Sequence, residues 1–358
     1  MNYFSKKLIS WYLQNKRFMP WRETKDPYRI WLSEIILQQT RIAQGLPYYE
    51  AFLNAFPTVF ELADASEEKV LKLWQGLGYY SRARNLHFTA KQIVSDYKGT
   101  FPETYSELIK LKGIGDYTAS AIASICFKEA TPVVDGNVYR VLSRYLNIHT
   151  PINSTQGIKL FKKAALALID TDQPDIFNQA IMEFGALQCK PQNPYCMICP
   201  FNESCAALQK GTVSELPVKL KKTQVKKRFF SYLIFIANEE KTILRKRTKK
   251  GIWQNLYEFP LLEFEKKSES LTNIENHSDF KKMTKGQNYE INKISKDTKV
   301  HKLSHQHLYT DFYLVRLAKT PQLIHNQELV TISSLTEYPV PILIGNVIEL
   351  LEKNQLLL

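Results

Sequence analysis

Four cysteines within a short segment are the most specific chemical feature of the sequence. Cys189, Cys196, Cys199 and Cys205 form a C-x6-C-x2-C-x5-C array in the segment CKPQNPYCMICPFNESC. Zinc accepts four thiolates in a tetrahedral site, but zinc ribbons usually pair two C-x2-C knuckles across a longer gap, which is missing from this array. Four unevenly spaced thiolates also suit a [4Fe–4S] cluster. The array therefore predicts a metal centre, either an iron–sulfur cluster or zinc, whereas Cys126 is expected to be an ordinary buried cysteine.

A single carboxylate interrupts a predicted helix that is apolar nearly all round. In the run YRIWLSEIILQQTR, Glu34 lies in the middle, and Gln38 and Arg41 follow at helical spacing on the same face. One interpretation is a buried structural carboxylate paired with Arg41. The other is a general acid, because burial raises the pKa of a carboxyl group towards neutrality. One residue does not decide between the two, so both stay open.

A glycine-framed turn follows a predicted helix that ends near Leu111. The run KGIG precedes YTASAIASICF, a second predicted helix that Asp116 is expected to cap. Gly113 and Gly115 let backbone N–H groups point outward at a helix N-terminus, where the partial positive charge suits a phosphate. A lone G-x-G turn is weak support, but with its flanks the pattern L-x-G-x-G-x-Y-T-A resembles the helix-hairpin-helix of DNA repair proteins. The turn therefore predicts a grip on a nucleic-acid backbone.

A lone aspartate lies shortly after this turn. In the segment VVDGN, Asp135 directly precedes Gly136 and another predicted helix. The usual role of an aspartate in that position is to cap the helix. Its position soon after the hairpin also allows a second role, in which the carboxylate is presented to bound nucleic acid.

A second glycine pair lies upstream, in the run GLGYY. Leu77 and Tyr79 alternate with the glycines, and Arg82 and Arg84 follow on a new predicted helix. Such a loop suits an apolar wedge that enters a base stack. A simple helix connection whose Leu and Tyr side chains pack inward is an equal alternative on sequence alone.

The bulk composition agrees with a polyanionic partner. The chain has 358 residues, enough for two domains, and a formal net charge of +13. Lysine and arginine in such excess favour nucleic acid because neutralised phosphates release counterions, although a generally lysine-rich proteome would give the same number. No signal peptide or membrane span is expected, and five cysteines fit a reducing compartment. We expect a cytoplasmic location, associated with the nucleoid if the cell is bacterial.

The sequence changes character after the cysteine array. Residues 1–210 read as helices, among them a first helix that ends near Phe18 and helices at about 155–169 and 174–188. Residues 211–228 are basic and non-periodic, as in a linker. From 229 to 358 the pattern is β-rich, with strands expected in FFSYLIFIA, TILRKR and GIWQNLYEFP, a polar helix-and-loop region near 265–298 and a helix near 341–353. This predicts an all-helical domain, a basic linker and a separate α+β domain.

Together, these segments resemble the MutY family of adenine DNA glycosylases, within the endonuclease III superfamily. The resemblance covers almost the whole chain. Besides the hairpin and the cysteine array (189–205), it rests on SEIILQQT at 33–40, GLGYYSRAR at 76–84, VVDGNVYR at 133–140 and GIWQNLYEFP at 251–260. The last segment resembles the family's MutT-like domain. That domain has no G-x5-E-x7-R-E-x2-E-E run here, so we expect recognition from it and no pyrophosphatase activity.

The resemblance implies an all-helical helix-hairpin-helix glycosylase domain with an iron–sulfur cluster loop, and a C-terminal MutT-like (Nudix-like) α+β domain. It also implies a reaction, in which a monomeric, monofunctional glycosylase removes adenine mispaired with 8-oxoguanine or guanine from double-stranded DNA. The adenine must first be flipped out of the duplex. The leaving base must then be protonated while the sugar gains oxocarbenium character, which requires two carboxylates in different environments.

The resemblance further implies parts for individual residues. Glu34 resembles the acid that protonates adenine N7, and Asp135 resembles the carboxylate that stabilises, or transiently bonds, the sugar C1′. Asn137 and Tyr117 match neighbours that organise this site. Arg22, in the run PWR, is expected to line the adenine pocket.

A further set of residues is implied to contact the mispair itself. These are Gln39 and Thr40 at the opened base pair, Leu77 and Tyr79 in the wedge beside 8-oxoguanine, and Ser304 and His305 in the 8-oxoguanine reader of the second domain. The family's Phe-Ser-His reader is Leu-Ser-His here, so the hydrogen-bonding pair is kept and its apolar support, now Leu303, differs.

Two other functions compete with this one. Endonuclease III-type glycosylase/lyases, which act on oxidised pyrimidines, carry a catalytic lysine two residues after the second glycine of the hairpin, because a Schiff base needs an amine. This chain has Tyr117 there, so imine-based strand cleavage is not expected, although Lys112 could give slow adventitious cleavage. A non-catalytic DNA-binding scaffold would make Glu34 and Asp135 dispensable.

Overall fold

The structure, a computed structural model, describes residues 2–220, 225–237, 240–267, 270–294 and 297–353. The chain divides into two units, one made of Met1–Asp64 and Asn85–Lys222 and the other of Ala65–Arg84 and Thr223–Leu358. The short segment 65–84 thus groups with the C-terminal part of the chain. The boundaries predicted at residues 210 and 228 stay predictions.

The first unit is built from helices. They are α1 (Tyr3–Asn15), a 3₁₀ turn (Pro20–Arg22), α2 (Pro27–Leu37), α3 (Ile42–Ala55), α4 (Val59–Asp64), α6 (Ser81–Tyr97, entering from the segment 65–84), α7 (Tyr105–Leu108), α8 (Asp116–Phe127), α9 (Gly136–Tyr145), α10 (Thr155–Leu168), α11 (Pro174–Leu187) and α12 (Ala206–Gln209). The helix α5 (Glu67–Leu73) lies in the segment 65–84. The helices predicted at 155–169 and 174–188 are therefore confirmed.

The centre of this unit is α11, which contacts α1, α8 and α9, while α2 contacts α3 and α8. The reason is apolar burial. Phe177 and Ile181 of α11, Ile122 of α8 and Leu32 and Ile36 of α2 have no exposed surface. The packing brings α2, α8 and the start of α9 together around α11.

Three helix ends differ from the sequence-based expectation. The first helix ends at Asn15 and not near Phe18. The second ends at Leu37, because Gln39 adopts a left-handed backbone with φ of 56°, which an α-helix cannot continue. Gln38 and Arg41 therefore do not extend the helical face of Glu34.

The cap of α8 also differs. Gly115, with an extended backbone, is the N-cap, and Asp116 is the first residue of the helix. The carboxylate of Asp116 accepts hydrogen bonds from Tyr105 Oη at 2.7 Å and from Lys162 Nζ at 3.0 Å. Its role is therefore to tie α7 and α10 to the start of α8.

The second unit contains one mixed sheet. Its strands are β1 (Lys226–Ala237), β2 (Lys241–Lys246), β3 (Tyr257–Glu258), β4 (Leu261–Phe264), β5 (Tyr289–Lys293), β6 (Lys299–Lys302), β7 (Gln306–Leu317) and β8 (Gln327–Thr331). The order is β3-β2-β1-β7-β5, with β4 on β1, β6 on β7 and β8 on β2. The helices α13 (Leu271–Glu275), α14 (Ser278–Met283) and α15 (Ile342–Lys353) and a 3₁₀ turn (Ile332–Glu337) complete the unit.

The middle of the sheet is formed by β1 and β7, which run parallel and pair from Lys226–Gln306 to Ala237–Leu317. A buried cluster that includes Phe235, Ile243, Phe280 and Val315 forms a core between the sheet and its helices. Parallel strands buried in this way read as continuous apolar runs, which is why the segment FFSYLIFIA could be predicted as a strand. The α+β class predicted for this part of the chain is confirmed.

Two details differ from the prediction for this part. The strand β1 begins at Lys226, so residues 226–228 of the predicted linker belong to the sheet, and 221–224 lie outside the described residues. The segment GIWQNLYEFP contributes only Tyr257–Glu258 as strand, because Trp253 and Asn255 have positive φ and form a loop. Among the helices in the described ranges, none is both long and apolar enough to cross a membrane.

Candidate active site

A cavity of about 580 Å³ in the first unit collects side chains that are far apart in sequence. Glu34 from α2, Tyr117 from α8, and Asp135 and Asn137 from the start of α9 all line it. Arg22, from the 3₁₀ turn, lines it as well. The cavity thus contains every one of the predicted catalytic residues together with the predicted adenine-pocket arginine.

Glu34 is a carboxyl group that can carry a proton near neutral pH. Burial raises its pKa to about 7, and the neighbouring charge of Asp135 acts in the same direction. A hydrogen bond from Tyr117 and the charge of Arg22 oppose the rise. No ion pair joins Glu34 to Arg41 in the described part of the chain, although Arg41 lines the same cavity. The geometry therefore favours the acid over the structural ion pair.

Tyr117 supplies a neutral hydroxyl. Burial and the nearby carboxylates of Glu34 and Asp135 raise its pKa well above 10, so the phenol keeps its proton. The hydroxyl lies 3.2 Å from Met182 Sδ and also hydrogen-bonds Glu34. Among the described residues that line this cavity, none is a lysine. The cavity therefore presents no amine of its own for an imine.

Asp135 is both a helix cap and a cavity residue. Its Oδ1 accepts hydrogen bonds from the backbone N–H groups of Asn137 at 2.9 Å and Val138 at 2.8 Å, and its Oδ2 accepts from Asn137 Nδ2 at 2.9 Å. Burial raises the pKa of Asp135, and these three hydrogen bonds and the charge of Arg140 oppose the rise. The two interpretations of this residue are therefore compatible.

Arg140 and Gly185 hold Asn137 in place, and the sequence did not point to either. The side chain of Arg140 is 8% exposed, and its Nη2 donates to Asn137 Oδ1 at 2.9 Å and to the Gly185 carbonyl at 2.6 Å. A Cβ atom on Gly185 would lie 2.6 Å from Cβ of Asn137. Arg140 was visible only as the last residue of VVDGNVYR, and nothing marked Gly185.

A buried charge cluster orients Arg22. Glu183 on α11 is 2% exposed and accepts hydrogen bonds from Arg17 Nη2 at 2.7 Å and Arg22 Nη2 at 2.9 Å. Burial alone would raise the pKa of Glu183, but these hydrogen bonds lower it to about 2. Glu183 and Arg17 also line the cavity and were missed from sequence, since their partners are more than 150 residues away.

The residues of the first unit that were predicted to contact DNA do not all lie at the cavity. Thr40 lines the cavity, whereas Gln39 is exposed and is not among its lining residues. Gly113 and Gly115 are exposed at the hairpin, and Gly113 has φ of +78°. A Cβ at Gly113 would also lie 2.6 Å from Cβ of Asn85, so the turn requires glycine there.

A second cavity, of about 520 Å³, lies within the second unit. Tyr79, Ser304 and His305 line it, and His305 Nδ1 lies 3.3 Å from Ser304 Oγ. Tyr79 is 47% exposed, whereas Leu77 is only 5% exposed and does not line the cavity. Of the two predicted wedge residues, Tyr79 is thus presented to solvent and Leu77 packs inward.

The four cysteines of the array line one further cavity, in the first unit. The side chain of Arg144 places Nη1 3.5 Å from Cys189 Sγ, and the backbone N–H of Phe201 lies 3.4 Å from Cys199 Sγ. Among the described residues, no group of three or more His, Cys, Asp or Glu side chains is arranged to hold a metal ion. The four cysteines nevertheless line one space, and N–H donors are directed at the sulfurs of Cys189 and Cys199.

Comparison with protein families defines the class. Residues 32–164 match the HhH-GPD superfamily of base excision DNA repair proteins, and residues 231–350 match the NUDIX domain. Within that superfamily, the chain belongs to the adenine DNA glycosylase family. An adenine DNA glycosylase of Buchnera aphidicola subsp. Baizongia pistaciae is 36% identical over 308 residues, which is 86% of this chain and 84% of that protein.

Two further similarities agree with this assignment. The human adenine DNA glycosylase is 44% identical over 222 residues, covering 60% of this chain and 41% of the human protein. A solved structure of a thermostable thymine-DNA glycosylase matches with a TM-score of 0.54 and 27% identity, covering 58% of this chain and 95% of that one. The predicted family and the predicted fold of both parts are confirmed.

Proposed function

We propose that this protein removes adenine from DNA in base excision repair by hydrolysing its N-glycosidic bond, and that its substrate is adenine mispaired with 8-oxoguanine or guanine. One observation carries the proposal. Glu34 and Asp135, from different helices, face one cavity in environments that separate their roles. The family of the chain supports adenine as the base.

The acid step is assigned to Glu34. A purine base cannot be reached within a duplex, so the adenine is flipped into the cavity, whose volume of about 580 Å³ accommodates it. With a pKa of about 7, the carboxyl group of Glu34 holds a proton at neutral pH and transfers it to N7 of adenine. The bond between C1′ and N9 then breaks, and its electron pair leaves with the neutral base.

The sugar is assigned to Asp135. As the bond breaks, C1′ becomes positively charged, and the carboxylate of Asp135 stabilises this charge or bonds C1′ transiently. Three hydrogen bonds from the first turn of α9 orient the carboxylate and favour its ionised form against the effect of burial. Water adds to C1′, its proton passes to the Glu34 carboxylate, and an abasic site remains. Tyr117 takes no covalent part in this scheme.

The opposite base is assigned to the cavity of the second unit. Ser304 and His305 supply hydroxyl and imidazole groups on its wall, and Tyr79 supplies an exposed aromatic ring. The edge of a purine can hydrogen-bond to the hydroxyl and imidazole groups, and its face can stack on the tyrosine ring. We propose that 8-oxoguanine is recognised here, with Leu303 among the residues that line the same cavity.

We further propose that Cys189, Cys196, Cys199 and Cys205 bind a [4Fe–4S] cluster. Four thiols around one cavity, with N–H groups directed at two of the sulfurs, match the donor set such a cluster needs. When bound, the cluster would link the two ends of the segment 189–205 through its thiolate ligands. Purified protein is expected to be yellow-brown and to contain iron and acid-labile sulfide; a colourless protein with bound zinc would contradict the cluster.

An excision assay tests the proposed function. Duplexes that contain 8-oxoG:A, G:A or an oxidised pyrimidine are incubated with excess protein, and base release is measured with and without alkali. The expected result is adenine release from 8-oxoG:A and G:A, with an abasic strand that stays intact until alkali is added. Release of oxidised pyrimidines, or cleavage without alkali at the rate of base release, would support the glycosylase/lyase instead.

A further inference from the structure

We propose that Arg247, clamped by the buried carboxylate of Glu258, is a positioning residue that holds the Gly251–Trp253 wall of the second cavity, and that this wall sets the preference for 8-oxoguanine over guanine. The inference rests on the proposed function of that cavity. It adds Arg247, which lies outside the segments that carry the family resemblance, and gives Glu258, within GIWQNLYEFP, a part in holding the cavity wall.

Glu258 anchors the arrangement. Its side chain has no exposed surface, and both carboxylate oxygens accept from Arg247 Nη1 at 2.8 Å. Tyr232 Oη donates to Oε2 at 2.9 Å, and Arg245 Nη2 donates to Oε1. A buried carboxylate with this many donors has one favoured arrangement, because moving it or a donor weakens hydrogen bonds that water does not replace. The guanidinium of Arg247 is therefore fixed.

Arg247 in turn holds the loop that follows β2. Its Nε donates to the carbonyl of Ile252 at 3.2 Å. Its backbone N–H donates to Leu256 O at 3.0 Å, and its backbone carbonyl accepts from Asn255 N at 2.8 Å. One residue thus contacts the loop near its start and at its end, through the side chain and the backbone respectively.

The loop needs such support because its backbone is strained. Trp253 has φ of 58°, in the left-handed region that a bulky side chain rarely adopts, and Asn255, with φ of 66°, is of a residue type that tolerates this region. Arg84 Nη1 donates to Gln254 O at 2.9 Å and gives a second attachment. The strained conformation presents Gly251, Ile252 and Trp253 to the cavity that Ser304 and His305 also line. The width of the cavity therefore depends on how firmly this loop is held.

Arg245 provides a matched control within the same cluster. It binds the same carboxylate as Arg247, from the strand position that pairs with Glu258. Its side chain has no hydrogen bond to the loop 251–255 in the described part of the chain. Replacing Arg245 therefore perturbs the buried charge without releasing the wall.

The test compares Arg247→Lys with Arg245→Lys in the full-length protein. Lysine keeps the charge but has a single ammonium group, which cannot bridge Glu258 and Ile252 as the guanidinium fork does. The measured quantity is the ratio of single-turnover adenine excision rates for 8-oxoG:A and G:A duplexes. We expect Arg247→Lys to lower this ratio at least about fivefold and Arg245→Lys to change it less than about twofold. Thermal unfolding and circular dichroism check that both variants fold.

The outcomes separate this inference from the proposed function. If wild-type protein prefers 8-oxoG:A and folded Arg247→Lys keeps the full preference, the positioning role is wrong while the proposed function stands. An equal loss in both lysine variants would mean that the ratio depends on the buried charge cluster as a whole and not on the hydrogen bond from Arg247 to the wall, and this would also overturn the inference. If wild-type protein releases adenine from both duplexes without preference, the proposed recognition of 8-oxoguanine in this cavity fails and the inference with it, while the proposed removal of adenine stands.

A second variant covers the case in which Arg247→Lys does not fold. Glu258→Gln keeps the shape of the anchor and removes its charge, which weakens the hold on Arg247. We expect a partial fall in the same ratio, together with faster amide hydrogen exchange at residues 251–256. An unchanged ratio in folded Glu258→Gln protein would contradict the positioning role.

Discussion

Asn137 donates two hydrogen bonds to the carboxylate of Asp135. Its Nδ2 donates to Oδ2 of Asp135 at 2.9 Å, and its backbone N–H donates to Oδ1 at 2.9 Å. Both carboxylate oxygens are thereby oriented by a residue in the first turn of the helix that Asp135 caps. Because Asp135 also lines the cavity, the hydrogen bonds that cap the helix are the same ones that orient the carboxylate toward a bound substrate.

Asp135→Asn separates these two roles. Asparagine caps a helix about as well as aspartate, but it carries no charge with which to stabilise a cationic sugar. We expect unfolding temperature to change little, and single-turnover adenine excision to fall at least about 100-fold. Asp135→Ala is the control, since it should lose both the activity and about 1 kcal/mol of stability. Retained activity in Asp135→Asn would reduce the residue to a helix cap.

The rate should follow the protonation of Glu34. The pKa of this carboxyl group is raised from its ordinary value of 4.5 to about 7, so the group is protonated below pH 7 and loses the proton above it. Excision is expected to decline as pH rises through about 7, by about tenfold per unit well above it. Because Asp135 must be ionised, a second decline is expected on the acid side. Single-turnover rates from pH 5 to 9 measure both limbs, and a flat profile would rule out a single titrating acid.

Tyr117 should tune this profile. Its hydrogen bond lowers the pKa of Glu34, so Tyr117→Phe is expected to move the alkaline limb to higher pH. The variant keeps the ring and its packing, which limits the change in stability. The same rate measurements report the shift. An alkaline limb that moves to lower pH, or stays where it is, would show that the hydroxyl does not act on the proton of Glu34.

Gly185 should matter through Asn137. A methyl group at this position would lie 2.6 Å from Cβ of Asn137 and 3.0 Å from its carbonyl oxygen, so Asn137 must move. We expect Gly185→Ala to lower the excision rate about 10- to 100-fold, because small displacements of catalytic groups are costly. Gly136→Ala is a suitable control, since its Cβ would meet nothing within 4 Å. Equal rates in the two variants would dismiss the steric argument.

Local patterns predicted much of the fold. Apolar spacing predicted α10 and α11 to within a residue at each end, and the largely apolar run FFSYLIFIA predicted the strand β1. Both are cases in which neighbouring residues in sequence decide the conformation. The predicted extension of α2 past Leu37 was wrong, because Gln39 has a left-handed backbone and stops a run that is helical in composition.

The candidate site was predicted only where a local pattern marks the residue. Glu34 stood out as a charge in an apolar helix, and the hairpin marked Tyr117 through its glycines. Glu183 could not be found, because it resembles any helical glutamate until Arg17 and Arg22 are folded against it. The strained Trp253 loop was read as strand, since its left-handed backbone depends on hydrogen bonds from Arg247 that no local pattern shows.

The most direct test of the account is adenine excision by Glu34→Gln. Glutamine keeps the size of the side chain and removes the proton that the mechanism transfers to adenine. With an 8-oxoG:A duplex and excess protein, we expect wild-type protein to release adenine and the variant to bind the duplex with similar affinity but release adenine at least about 100-fold more slowly. Excision by Glu34→Gln at the wild-type rate would contradict the central claim, since the acid would then have to be another group.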